Sequence, residues 1–192
     1  VRQASLFSAK ASAASVSDLA GLLCAQGQVQ GFGRGTAARV SIVVADQWRA
    51  IEIERDCAER GLTAERGSTE EGHYRVRTAL MVGLVPLASA WTRGAVKAVP
   101  DGWQPSGAAL RFWVLAAGSS DDRGYLLRLD PLAPDTHAPL AAALARAGLT
   151  VKLLDSRPAG PRLRVSGQRR MSRLAELIGE APQHAPSGQW PS

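Results

Sequence analysis

Cysteine, lysine, histidine and aromatic residues are scarce in this sequence, and no long apolar run occurs. Its thiols are Cys24 and Cys57, too few for a disulfide framework and too far apart for a C-x-x-C metal knuckle. His73, His137 and His184 are scattered along the chain, so no zinc site is legible in their spacing. No apolar stretch reaches the roughly 18 residues that a membrane-spanning helix needs. The Ala- and Ser-rich start, Val1 to Ser17, lacks the apolar segment of a secretory signal. These absences argue against a disulfide-stapled scaffold, a zinc module and a membrane protein. The expectation is a cytoplasmic protein with no cofactor and no metal.

What the chain does have is core-forming residues and arginine. Its 192 residues are 45% hydrophobic with a mean hydropathy of −0.08, enough to fill one domain, or two small ones of roughly 90 residues each. Lys10, Lys97 and Lys152 are the lysines, so arginine supplies nearly all of the 23 cations, against 17 acids and for a net charge of +6. A GC-rich genome accounts for arginine over lysine, but not for where the charges fall. Between Ser156 and Ala175 there is no acid, yet Arg157, Arg162, Arg164, Arg169, Arg170 and Arg173 all lie there. Residues 46 to 71 are the opposite, with Asp46, Glu52, Glu54, Asp56, Glu59, Glu65, Glu70 and Glu71 among Arg49, Arg55, Arg60 and Arg66. A basic C-terminal half favours an anionic partner such as nucleic acid.

The chain also repeats itself. Gly61-Leu62-Thr63 returns as Gly148-Leu149-Thr150, Arg75-Val76 returns as Arg164-Val165, and a helix ending at Gly27 is matched by one ending at Gly118. The offsets are 87 (148 − 61), 89 (164 − 75) and 91 (118 − 27). The order of predicted elements repeats as well. In the first half, Ser17 or Asp18 caps a helix through Gln26, and short strands follow near Gln28 to Phe32 and from Ala37 to Ala45. Asp46 caps a helix to Arg60, with Ala50, Ile53 and Cys57 on its core side and Arg49, Glu52, Asp56 and Glu59 facing water. A hairpin of Leu62 to Arg66 and Tyr74 to Thr78 comes next, then a helix within Ala79 to Trp91. The second half offers a helix over 107–117, a hairpin turning at Ser119 to Arg123, and a helix from Thr136 to Ala147. Strands at Leu149 to Leu154 and Pro161 to Val165 lead to a last helix, Gln168 to Ile178, burying Met171, Leu174, Ala175 and Ile178. The fold class is α+β: two pseudo-symmetric αββαββα repeats over 17–93 and 107–179. Residues 1–16 read as a flexible start, 94–106 as a linker and 180–192 as a flexible tail.

Leu19-Ala-Gly-Leu-Leu-Cys-Ala-Gln-Gly27 resembles the LAGLIDADG motif. The repeat and that motif together resemble a single-chain LAGLIDADG homing-endonuclease fold over about residues 17 to 180. Asp18-Leu-Ala-Gly-Leu-Leu23, Val114-Leu-Ala-Ala-Gly-Ser119 with Tyr125, and Leu177-Ile-Gly179 are similar to the homing-endonuclease-like part of WhiA-type bacterial transcription regulators. The resemblance implies two motif helices packed at a pseudo-twofold axis, with antiparallel sheets forming a saddle on DNA. The small residues for that helix contact are Ala20, Gly21 and Ala25 in one helix, and Ala116, Ala117 and Gly118 in the other. Regulators of this type continue into a helix-turn-helix, whereas the sequence here ends in a Pro-rich tail, so that module's role in reading DNA is not carried over.

In nucleases of the family the acid before the last motif glycine holds a divalent metal. Here those positions are Gln26 and Ala117, an amide and a methyl, which do not serve two-metal cleavage. Asp121 and Asp122 read as turn residues. Gly31-Phe-Gly-Arg-Gly35 lacks the Lys-Ser/Thr of a phosphate-binding loop and reads as a tight hairpin turn. Cys24, without a paired histidine, reads as core. What remains is the open face of the strands, where Arg39, Arg75, Arg77, Arg128, Lys152, Arg162 and Arg164 alternate with the apolar positions. The expected function is non-catalytic DNA binding by that face, in a transcription regulator or a DNA-associated accessory. The partner is duplex DNA, and the chain, already pseudo-dimeric, is sufficient as a monomer. A protein-interaction module, docking a partner through the saddle or the acid-rich helix 46–60, is the alternative, and a residual endonuclease the second.

Overall fold

A computed structural model describes residues 13–156 and 158–191. Residues 1–12, most of the expected flexible start, lie outside the described residues. The first half comprises α1 (Ala20–Cys24), β1 (Gln28–Phe32), β2 (Ala37–Val44), α2 (Gln47–Ala58), β3 (Ala64–Ser68), β4 (Tyr74–Thr78) and α3 (Val85–Trp91). A small hairpin, β5 (Thr92–Arg93) with β6 (Val96–Lys97), opens the linker. The second half comprises α4 (Gly107–Ala117), β7 (Gly118–Asp121), β8 (Gly124–Arg128), α5 (His137–Arg146), β9 (Lys152–Ser156), β10 (Gly160–Val165) and α6 (Gln168–Ile178). Each half builds a four-stranded antiparallel sheet, in the orders β1-β2-β4-β3 and β7-β8-β10-β9. The α+β class and the two repeated halves are those the sequence predicts.

The repeated Gly-Leu-Thr is a helix stop, not a strand start. Gly61 and Gly148 follow α2 and α5 with φ of 69° and 82°, a region that glycine enters without a Cβ penalty. The amides of Leu62 and Leu149 then reach back to the carbonyls of Cys57 (3.1 Å) and Leu144 (2.9 Å). Both leucines are buried, which completes the glycine-ended helix cap with its apolar contact. β3 and β9 consequently begin at Ala64 and Lys152, later than the expected Leu62 and Leu149. Helix starts differ as well. Ser15, rather than Ser17 or Asp18, opens the first helix through a 3-10 turn, Val16–Leu19. Asp46 stands at the start of α2, but its carboxylate accepts from Arg49 Nε (2.9 Å) instead of a helix amide.

α1 and α4 pack together where the two halves meet. A Cβ on Gly21 would fall 1.9 Å from the Ala109 carbonyl oxygen and 2.8 Å from Phe112 Cβ, so the helices touch at Gly21. Ala20 and Ala25 are buried beside it. On α4 that contact lies further upstream than the sequence suggests. Ala116 and Ala117 are half-buried and line a cleft at the helix end, while a Cβ on Gly118 would meet the Tyr125 hydroxyl at 2.3 Å. Gly21→Ala gains about 1 kcal/mol of helix propensity. The obstructing oxygen belongs to the backbone, however, and overpacking costs about 1–3 kcal/mol or more. The expected outcome is a net loss of about 2 kcal/mol in a urea melt; an unchanged midpoint would show that α1 and α4 separate freely.

α2 departs furthest from its sequence reading. Ala50, Ile53 and Cys57 are buried as expected, but Arg49, Glu52 and Asp56 are buried too, at 6%, 2% and 3% exposure. Of the positions expected to face water, only Glu59 is exposed. The reason is tertiary: α2 also lies against α4, so its polar face becomes the seam between halves. Charges there are matched, as burial requires. Arg111 Nε of α4 donates to Asp56 (3.1 Å), and Arg60 Nε donates to Asp18 (3.0 Å) while its guanidinium lies over the Phe112 ring. Ser106 Oγ donates to the same Asp18 (3.1 Å). The acid-rich helix is thus turned inward over much of its length, rather than offered to a partner.

Residues 94–106 are tied down by Trp103, whose ring meets Trp91 edge-on at 4.9 Å. The tail, expected to be flexible, is laid back over the seam. Tyr125 Oη donates to the Gln189 carbonyl (2.9 Å), and Arg49 Nη2 to Gln189 Oε1 (2.8 Å). Trp190 is buried, donates to the Gly179 carbonyl (3.1 Å) and lies under the Arg111 guanidinium. In α6, Leu177 is buried with Leu174 and Ile178, while Met171 and Ala175 are half-buried.

Candidate nucleic-acid interface

Strand alternation decides which side chains leave each sheet. In the first sheet Ala38, Val40, Ile42, Val44 and Val76 face the core, which puts Arg39, Ser41 and Val43 of β2 and Arg75 and Arg77 of β4 on the open face. The register sets Ser41 beside Arg77, Val43 beside Arg75 and Gln30 beside Arg39. In the second sheet Tyr125, Leu127, Leu163 and Val165 are buried, and Leu126, Arg128, Lys152, Arg162 and Arg164 take the other side. There Arg162 is the cross-strand partner of Arg128, and Arg164 of Lys152. Like charges directly opposite one another weaken a sheet. Within the chain Asp121 compensates Arg164, and Arg162 donates to the Gly160 carbonyl, while Arg128 and Lys152 stay exposed beside them.

Some of these cations are neutralised within the chain and others are not. Arg77 is paired with Glu65 (2.6 Å) and Arg164 with Asp121. Arg39 lies over the Phe32 ring, 4.8 Å from its centroid, and Arg162 donates to the Gly160 carbonyl (2.8 Å). Among the described residues, no carboxylate is within ion-pair distance of Arg39, Arg75, Arg128 or Lys152. The bond from Arg77, and then its charge, holds the Glu65 carboxyl below its ordinary value. At Asp121 desolvation acts upward, but the Arg123 amide and Arg164 outweigh it and lower the carboxyl. Asp121 accepts that amide at 2.9 Å, the turn role its position suggests.

The C-terminal ends of α1 and α4 share a cleft of about 760 Å³, lined among others by Gln26, Asp46, His73, Ala117, Asp121 and Arg128. A helix end presents unbonded carbonyls and the negative pole of its dipole. Here each end receives a buried cation from elsewhere in the chain. Arg49 Nη1 donates to the carbonyls of Val114 (2.9 Å) and Leu115 (3.0 Å), and Nη2 to that of Gly118 (2.6 Å). Lys97 Nζ donates to the Ala25 carbonyl (2.8 Å) and to Asp130 (2.6 Å). Burial pulls Lys97 below its ordinary pKa, with Asp130 acting against that pull.

These residues do not fit a pair of divalent metals. Gln26 is neutral and Ala117 has no ligand atom, while Asp46 is engaged by Arg49 and Asp121 by Arg164. No group of three or more His, Cys, Asp or Glu side chains is placed to hold a metal among the described residues. Cys24 and Cys57 are buried, and burial pushes their thiols up, Cys57 to about 12, which leaves no thiolate for chemistry. Gly31 to Gly35 is the β1–β2 hairpin turn, with Gly33, Arg34 and Gly35 all at positive φ. Sequence reasoning missed Arg49 and Lys97. Neither stands in a motif, and both act on a helix distant in sequence.

Two αββαββα halves, joined by packed motif helices and each carrying an antiparallel four-stranded sheet, define the LAGLIDADG homing-endonuclease fold. The chain is similar to the homing endonuclease I-WcaI bound to its DNA recognition sequence, with a TM-score of 0.63 and 12% identity over 87% of this chain and 81% of that one. It is similar to the N-terminal LAGLIDADG domain of WhiA, with a TM-score of 0.58 and 13% identity over 86% and 82%. Full-length WhiA from Thermatoga maritima matches with a TM-score of 0.60 and 14% identity over 93% of this chain and 57% of that one. At such identities the likeness is one of fold. No protein-family model matches the sequence, and no curated protein is detectably similar to it. No helix among the described residues is long and apolar enough to cross a membrane.

Proposed function

We propose that this protein binds duplex DNA without cleaving it, as a cytoplasmic transcription regulator or DNA-associated accessory, through the open faces of its two sheets. The observation that carries the reading is the pairing of cation with cation across strands, Arg128 with Arg162 and Lys152 with Arg164. A polyanion laid over the sheet would meet this concentration of positive charge, with Arg128 and Lys152 exposed to it. I-WcaI, bound to its DNA recognition sequence, supports the same use of the fold. The chain carries both halves of the saddle and acts as a monomer. If about six phosphates are engaged, log affinity falls against log salt with a slope of roughly −5. Fluorescence anisotropy on a labelled duplex over a salt series measures it, and absence of binding at low salt would sink the reading.

Cleavage is not part of this function, because Gln26 and Ala117 stand at the motif positions and Arg49 and Lys97 supply fixed positive charge at the helix ends. Supercoiled plasmid incubated with Mg²⁺ or Mn²⁺ should remain supercoiled. Nicking that disappears with chelator would reverse that conclusion.

A further inference from the structure

Beyond the two sheet faces, a second group of arginines borders a groove of about 770 Å³ on the first turns of α6, lined by Gly148, Gly167, Arg169, Arg170, Arg173 and Glu176 among others. We propose that these arginines are a separate contact for the DNA backbone, taking phosphates that flank the segment lying on the sheets. The proposal rests on the DNA-binding reading above and extends it beyond the sheets.

Continuity is the first argument. β10 ends at Val165, next to Arg164 and its cross-strand neighbour Lys152. The chain turns through Ser166 and Gly167, whose φ of 87° suits glycine, directly into α6. Arg170 Nη1 donates back to the Ser166 carbonyl (3.0 Å), so its guanidinium stays at the rim of the second sheet. Two residues therefore separate the helix bearing these arginines from the last strand that carries the sheet-face cations.

Charge balance is the second. A solvated helix face mixes both signs, as the outer end of α2 does, where exposed Arg55 pairs with Glu59 (3.9 Å). α6 does not. Gln168, Arg169, Arg170 and Ser172 are exposed, and no carboxylate is within ion-pair distance of Arg169 or Arg170 among the described residues. Arg173 has Glu176 (3.1 Å), one turn further on. Three guanidinium groups around a groove, with one acid among them, suit a row of phosphates better than an isolated anion or an apolar partner.

The test uses the full chain with Arg169, Arg170 and Arg173 changed together to Gln, which keeps helix propensity. Arg169→Gln alone serves as the variant with no internal bond to lose. Binding is measured on one duplex of about one and a half helical turns and another of about three. We expect the triple variant to lose affinity on the order of a hundredfold on the long duplex and to shed about 2–3 of its salt slope there, with the short duplex unaffected. Unaltered binding of both duplexes would overturn the proposal. Equal losses on both would overturn it too, by placing α6 inside the primary footprint. If the wild-type chain binds neither duplex, the DNA-binding reading itself falls, and this inference with it.

Discussion

Replacing Arg49 with methionine is expected to destabilise the fold by about 3–5 kcal/mol, the cost of removing one partner from a buried charged network. Arg49 is 6% exposed and donates to the carbonyls of Val114, Leu115 and Gly118, to Asp46 and to Gln189. Methionine fills much of the same volume, so the lost hydrogen bonds dominate over any cavity. The Leu115 and Gly118 carbonyls at the α4 C-terminus would lose the Arg49 donor, each at about 1–3 kcal/mol where water cannot replace it, while Val114 keeps the Gly118 amide. The dipole of α4 would lose its counter-charge as well. Urea denaturation followed by circular dichroism measures the effect. A loss below about 1 kcal/mol would mean that water reaches these carbonyls and that Arg49 is dispensable to the seam. Arg77→Ala is the contrast: its pair with Glu65 is exposed, and such pairs contribute about 0–1 kcal/mol.

Changing Arg75, Arg128 and Lys152 together to alanine should weaken duplex binding on the order of a hundredfold, taking about 1 kcal/mol for each phosphate contact. These three are exposed and have no carboxylate within ion-pair distance among the described residues, so no internal bond is lost. Removing three phosphate contacts should also reduce the salt slope from roughly −5 to about −2 or −3. Folding stability should change little, within about 0.5 kcal/mol for each surface site. Arg93→Ala, on the linker hairpin, is the control: it is exposed and bonds only the carbonyls of Ala90 and Thr92. If the triple variant binds as tightly as wild type, or if Arg93→Ala weakens binding equally, the sheet faces are not the DNA surface.

The repeat was legible in sequence because both halves use the same local devices. Gly61-Leu62 and Gly148-Leu149 cap equivalent helices, and Val76 and Val165 fill equivalent inward positions beside outward Arg75 and Arg164. Strand alternation likewise sorted the sheet-face cations, since a period of two leaves each residue only one of two faces. Helix periodicity was less reliable. It found the side of α2 that meets the sheet, but it has no term for a second layer lying on the polar side. Arg49, Glu52 and Asp56 therefore read as solvated when they are the seam. The docking of the tail was hidden for a related reason: one tryptophan and one glutamine among prolines and polar residues make its contacts, too few for a composition signal.

The αββαββα order, the side of each strand on which arginine emerges, and the lack of acids at positions 26 and 117 are all readable from the residues alone. Local propensity, side-chain alternation and residue identity suffice for those, because none requires knowing what lies across the chain. Three features come from packing instead: Arg49 and Lys97 cap the motif helices, Gly21 is the point of contact with α4, and like charges stand side by side on the second sheet. Each depends on a distance between residues far apart in sequence. Such distances are set by how the halves pack, and hydrophobic pattern leaves that packing open.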